Sequence, residues 1–208
     1  TMILEIYLFV DPLNEHCYEA EKAVDQVSQK LNKQISVHFI PLLNIAVLND
    51  NDNELKQRFG RTVPYDIILN YKAASFQGQR FGRRFLMNLQ RRLLTENENY
   101  CSSLIHEIAE ESGLDLEMFN EDCQSELAVQ TYHSDQRTAA EMNVDEPASA
   151  VLFNTEVDDS GILIRNFDYY SLLSFCQNSI DSSDHFKELA TEEEPEQKIV
   201  QYPDLHSL

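Results

Sequence analysis

The residues Asn14-Glu15-His16-Cys17 set a lone thiol in the opening turns of a helix, just after an apolar strand. Thiol chemistry runs through the thiolate, which a helix N-terminus favours and a neighbouring carboxylate such as Glu15 opposes. Cys17 therefore has two readings. It is a small buried hydrophobe, as free cysteine commonly is, or a single-thiol sensor whose pKa His16 lowers. The other cysteines, Cys101, Cys123 and Cys176, are far apart in the sequence and read as free thiols of a reducing compartment rather than a disulfide framework. The six histidines (His16, His38, His106, His133, His185, His206) have no paired spacing with them, so neither a metal site nor a cofactor is expected. Five glycines are too few and misplaced for a phosphate loop, and no Ser-His-Asp arrangement can be argued from residue order.

Two elements must position that thiol. Ile3 to Val10 is an almost unbroken apolar run, the pattern of a strand buried on both faces, and Asp11-Pro12 ends it. Cys17, Ala20, Val24, Val27 and Leu31 then recur at helical steps and share one face. Gln34–Ile40 alternates as a second strand, completing a right-handed parallel unit. The polar stretch from Leu42 to Pro64 reads as a crossing loop carrying one short helical turn. Tyr65–Leu94 is helical, with Ile68, Tyr71, Ala74, Phe81, Phe85, Leu89 and Leu93 on its apolar side and Arg80, Arg84 and Arg91 on its outer face. Gly78 and Gly82 cost up to ~1 kcal/mol each relative to Ala, so a break or a close helix approach is expected there.

Further helices follow: one from Leu104 to Ala109 ended by Gly113, one capped by Asp115 and carrying Leu116, Phe119, Cys123 and Leu127, and one over Asp135–Met142. Ala148–Phe153 and Gly161–Ile164 pair as strands, and Tyr169–Ile180 is a last amphipathic helix. The order is βαβ, a helical block, then ββα, an α/β thioredoxin-like fold with an all-helical domain inserted after its second strand. The expected limits are 1–64 and 131–180 for the discontinuous thioredoxin-like domain and 65–130 for the insertion. Residues 181–208, acidic and poor in apolar side chains, are expected to form a mobile tail rather than a packed element.

A formal net charge of -20 repels nucleic acid and anionic membranes. No apolar run approaches the ~20 residues of a membrane span, and no signal peptide precedes the first strand, so a cytoplasmic location is expected. The basic residues gather between Lys56 and Arg92, which suggests a protein partner with an acidic face or, equally, a solvated basic helix.

Three blocks, LEIYLFVDPLNEHCYEAE, QGQRFGRRFLMNLQRRL and the long run from LIHEIAEESG to ASAVLFN, resemble the cytosolic YjbH/SpxH branch of the DsbA-like family over residues 3–165. The resemblance implies an adaptor that delivers the regulator Spx to the ClpXP protease. It also implies that Pro147 is a cis-proline facing the helix that carries Cys17, with Glu146 placing a carboxylate near the thiol. Asn14 then stands where the redox enzymes keep their nucleophilic cysteine. A lone thiol can neither close an intramolecular disulfide nor release itself from a mixed one, so dithiol exchange is unavailable.

The leading expectation is a non-catalytic adaptor that docks protein partners, Spx and the ClpXP system, through Arg80, Arg84 and Arg91 together with residues around Asn14 and Pro147. The alternative is a thiol-disulfide oxidoreductase or isomerase acting through Cys17 alone, which requires an activated thiol. A glutathione-conjugating activity would need a site beside Pro147, and nothing in the sequence specifically supports one.

Overall fold

The apolar run that opens the chain becomes strand β1 (Leu4–Val10), buried at every position but Glu5. In a computed structural model the described residues are 4–50, 52–156, 160–181 and 198–201. They fall into two compact units, one drawn from 1–10, 19–40 and 138–208 and the other from 11–18 and 41–137. The helical unit thus takes in residues 41–137 and 11–18, against the 65–130 expected for an insertion.

The first unit is built on a five-stranded sheet in the order β2-β1-β3-β4-β5, with β2 at Ile35–Pro41, β3 at Ser149–Asn154, β4 at Ser160–Ile164 and β5 at Lys198–Gln201. β1 runs antiparallel to β3, with Leu4 opposite Asn154 and Phe9 opposite Ser149. β3 and β4 are buried at every position, as strands covered on both faces must be, which explains their continuous apolar sequences. Helices α1 (Glu15–Leu31) and α9 (Tyr169–Asp181) present Val24, Val27, Leu172 and Cys176 as fully buried side chains. The expected mobile tail is corrected in part. Residues 198–201 form β5, antiparallel to β4 with Val200 opposite Gly161, because the short apolar step Ile199-Val200 supplies an edge strand within an otherwise acidic segment. Residues 182–197 and 202–208 lie outside the described residues.

The second unit is helical. The expected crossing loop holds two short helices, α2 (Ile45–Leu48) and α3 (Glu54–Phe59). Each starts at an asparagine: the Asn44 side chain accepts from the Val47 amide at 2.9 Å and that of Asn53 from the Lys56 amide at 3.1 Å. Helices this short have no apolar period to read, which is why only their caps betray them. α4 (Val63–Phe76) opens with Pro64 in its first turn and ends before Gly78, whose φ of 131° admits no ordinary side chain. α5 (Gln79–Gln90) follows and closes in a π-helical turn at Arg91–Thr95. Then come α6 (Ser102–Glu111), α7 (Leu116–Cys123), which Asp115 caps as expected, and α8 (Glu126–Glu141). Leu127 is a correction. It lies in the first turn of α8 rather than continuing α7, and it is 53% exposed. The helix expected over Asp135–Met142 is the second half of α8.

Phe85 and Phe119 meet in the helical core with ring centroids 5.3 Å apart, and Lys72 and Asp135 form a buried ion pair joining α4 to α8. A Cβ at Gly82 would lie 2.1 Å from the Ser75 Oγ and 2.9 Å from the Ser75 Cα, so α4 and α5 approach to backbone distance there. Gly82→Ala is therefore expected to lower stability by about 1–3 kcal/mol in urea unfolding. Adding Ser75→Ala should restore only part of that loss, because the clash with the Cα remains.

Candidate functional site at the start of helix α1

β1 stops where the chain turns through Asp11, Pro12 and Leu13, all buried. The turn is closed by its own backbone: the Asn14 amide donates to the Asp11 carbonyl at 3.2 Å, and the Leu13 amide donates to the Asp11 Oδ1 at 3.1 Å. Asn14 then caps α1, its Oδ1 accepting from the Cys17 amide at 3.2 Å. Asparagine is among the best residues for that position, and such a cap contributes roughly 1 kcal/mol. Cys17 is 0% exposed, and its Sγ accepts from the Asp11 amide at 3.3 Å. Glu15 and His16 point outward and are exposed. The motif thus holds a thiol inside and two polar side chains outside.

The Asp11 carboxylate is itself buried and is paired with Lys56 from α3, whose Nζ also donates to the Val47 carbonyl at 2.7 Å. Asn53 adds a second tie, donating from Nδ2 to the Leu13 carbonyl at 2.8 Å. Burial pushes the Asp11 carboxyl up and the Lys56 ammonium pulls it back. Neither residue stood out in the sequence; the only available signal was an acid placed directly after an apolar strand. A cleft of about 560 Å³ opens beside this turn, lined by Glu15, His16, Asp52, Glu54 and Arg58 among others.

Lys56→Met leaves Asp11 buried without its partner, which is expected to cost about 3–5 kcal/mol in denaturant unfolding. Asp11 in that variant holds its proton more tightly folded than unfolded. The variant's deficit relative to the unmodified chain should therefore be smallest below the ordinary carboxylate range and grow as pH rises through it, whereas combining it with Asp11→Asn should remove that pH dependence.

Pro147 corrects an expectation, since no peptide bond among the described residues is cis. The chain enters β3 by another device. Ala148 adopts a left-handed conformation (φ 62°) and its amide donates to the Phe9 carbonyl at 2.7 Å, so the reversal is made one residue later, without isomerising the proline. Ser149 Oγ donates to the Glu146 carbonyl at 2.8 Å and accepts from the Arg165 Nε at 2.9 Å. The exposed Glu146 carboxylate faces Arg165 at 3.5 Å. Glu146 and Pro147 belong to the sheet-bearing unit and Cys17 to the helical one.

The three arginines expected to share a docking face differ in their surroundings. Arg80 and Arg84 are exposed, and neither forms an ion pair among the described residues. Arg91 is paired with Glu96 and lies 3.6 Å from Glu111. Its neighbour Arg92 is enclosed by carboxylates, with Glu111 at 2.8 Å, Glu107 at 3.0 Å and Glu98 at hydrogen-bonding distance, and it holds the Glu98 carboxyl below the usual carboxylate range. The acids at 96, 98, 107 and 111 were visible in the sequence. That they converge on one guanidinium was not.

The remaining cysteines are separate. Burial pushes the Cys123 and Cys176 thiols up to about 12, while hydrogen bonds from Ser103 and the Leu104 amide lower that of the exposed Cys101. No cluster of His, Cys, Asp and Glu able to hold a metal ion occurs among the described residues. Limited alkylation with iodoacetamide near neutral pH should modify Cys101 first, with Cys17, Cys123 and Cys176 reacting only on unfolding, as read by peptide mass spectrometry.

A family model described as thioredoxin matches residues 7–174. The chain is similar to the ClpXP adapter protein SpxH of Bacillus subtilis, 29% identical over 199 residues, covering 83% of this chain and 67% of that protein. It is also similar to the SpxH of Staphylococcus saprophyticus, 28% identical over 187 residues, covering 89% of this chain and 69% of that protein. In a Staphylococcus aureus SpxH it covers 64%, so the chain spans about two thirds of the length of these relatives. Among solved structures, it is similar to a Nitrosomonas europaea protein provisionally described as a disulfide isomerase, with a TM-score of 0.67, 13% identity and coverage of 86% of this chain and 98% of that one. DsbA of Xylella fastidiosa aligns with a TM-score of 0.59 at 9% identity, covering 90% and 88% of the two chains. At these identities the structural likeness establishes the thioredoxin/DsbA-like fold alone. No helix among the described residues is long and apolar enough to cross a membrane.

Proposed function

We propose an adaptor role for this chain, which belongs to the thioredoxin family: it binds the regulator Spx and promotes its degradation by the ClpXP protease, without thiol chemistry. The observation that carries this reading is Asn14. At the position where a dithiol enzyme needs its attacking sulfur, the chain has an amide whose oxygen caps α1 through the Cys17 amide at 3.2 Å. The thiol that remains is fully buried. A dithiol cycle needs a second sulfur to resolve the mixed disulfide, and the motif offers none. The SpxH relatives, aligned over most of this chain, support the adaptor role, and a cytoplasmic site of action is part of the same proposal.

The test is degradation of purified Spx by reconstituted ClpXP, with and without the full chain, together with Cys17→Ala. Severalfold acceleration by both proteins is expected. No acceleration at saturating protein overturns the adaptor role, and acceleration abolished by Cys17→Ala, with the variant folded by circular dichroism, overturns thiol independence.

A further inference from the structure

Arg80, Phe81 and Arg84 form a ledge at the start of α5 that the helical core does not use. Phe81 is 37% exposed although it stands on the apolar side of the helix pattern. The Arg84 guanidinium lies 5.8 Å from the Phe81 ring centre and donates from Nη1 to the Ser112 carbonyl at 3.2 Å. A Cβ placed at Gly113 would meet the Phe81 ring at 3.6 Å and the Arg84 Nη1 at 3.8 Å, so both groups lie over bare backbone after α6. Arg84 is thereby held in one orientation with most of its donor fork unspent. Arg80, one turn away, has no ion-pair partner among the described residues. Unlike Arg91 and Arg92, each already matched to carboxylates, Arg80 and Arg84 form no ion pair among the described residues. An exposed aromatic held against an oriented arginine is the composition of binding hot spots, where little ordering entropy remains to be lost on association.

We propose that the Arg80, Phe81 and Arg84 ledge docks an acidic segment of a partner protein, its carboxylates pairing with the two arginines and an apolar side chain resting on Phe81. Charge complementarity selects that partner. In a chain of net charge -20, an acidic segment is repelled almost everywhere else, and beyond a Debye length of ~8–10 Å that repulsion is screened, so the local cations decide the contact. The proposal deepens the adaptor reading by giving its docking surface a location and a chemistry.

The probe is a fluorescein-labelled peptide of alternating glutamate and leucine, with its glutamine counterpart as control, titrated into the full chain by fluorescence anisotropy. The glutamate peptide should bind and should weaken as ionic strength rises. Arg80→Glu with Arg84→Glu should weaken it at least about tenfold, and Phe81→Ala about threefold, while Arg61→Glu with Arg137→Glu changes it less than about twofold. Unchanged affinity in the Arg80/Arg84 variant, or equal weakening in the control pair, overturns the ledge. Because the substitutions could disturb α5, the unmodified chain is also mapped by amide chemical shifts. Perturbations centred on 78–84 and 112–113 support the site and perturbations centred elsewhere overturn it. Neutralising Glu192, Glu193 and Glu194 to Gln should leave the affinity unchanged; a tighter complex would reassign the ledge to the chain's own acidic segment. Spx degradation that survives Arg80→Glu with Arg84→Glu removes the ledge and leaves the adaptor role standing, whereas absent acceleration beside an intact peptide site removes the adaptor role alone.

Discussion

The buried ion pair between Asp11 and Lys56 is the constraint on which the site depends. Asp11 directs four interactions at once: its amide reaches the Cys17 sulfur, its carbonyl accepts from the Asn14 amide, one carboxylate oxygen holds the Leu13 amide, and the other meets Lys56. A buried carboxylate is tolerated only when paired, so Lys56 must be delivered to it. That requirement accounts for α3, for the Asn53 cap that starts it, and for the bond from Lys56 to the Val47 carbonyl that fixes α2 beside it. A polar stretch with almost no apolar period is therefore ordered by a buried charge together with its asparagine side chains. The Lys72–Asp135 pair repeats the device between α4 and α8, again with burial raising the carboxyl and a lysine opposing it.

The same turn fixes the start of α1 through an amide side chain. The helix needs a residue that accepts from its first free amides, and asparagine does so well. With Asn14 in that role, α1 starts directly after the turn, its Cys17 amide satisfied by the asparagine side chain. Cys17, deep under the turn, serves as a small apolar side chain with a weak acceptor. A turn fixed by this many hydrogen bonds presents a rigid surface, which binds at lower entropic cost than a mobile one.

Charge is distributed with similar economy. The acids that dominate the chain are not uniformly idle: four of them converge near Arg92 and secure the π-helical turn that closes α5. Arg84, two turns earlier, meets a carbonyl and an aromatic ring instead. One helix therefore carries spent cations at its end and unspent ones at its start, a difference invisible in a count of basic residues.

The strands β1 to β4, helices α1 and α9 and the Asp115 cap were legible in the sequence because each rests on a local signal, an apolar run, a helical period or a capping side chain. The resemblance to DsbA-like proteins was likewise carried by contiguous motifs, and Asn14 in place of cysteine could be read directly. What required the tertiary structure were features set by residues distant in the chain. Lys56 finds Asp11 across 45 positions, and β5 forms only because β4 offers an unpaired edge to a short apolar step. The turn before β3 is made by Ala148, bonded to Phe9, where the motif alone pointed to the proline. The separation of Arg91 from Arg80 and Arg84 likewise depends on where four glutamates arrive. Local propensity acts over a few residues and can be read from order, but burial, charge pairing and strand addition are settled by neighbours that only folding brings together.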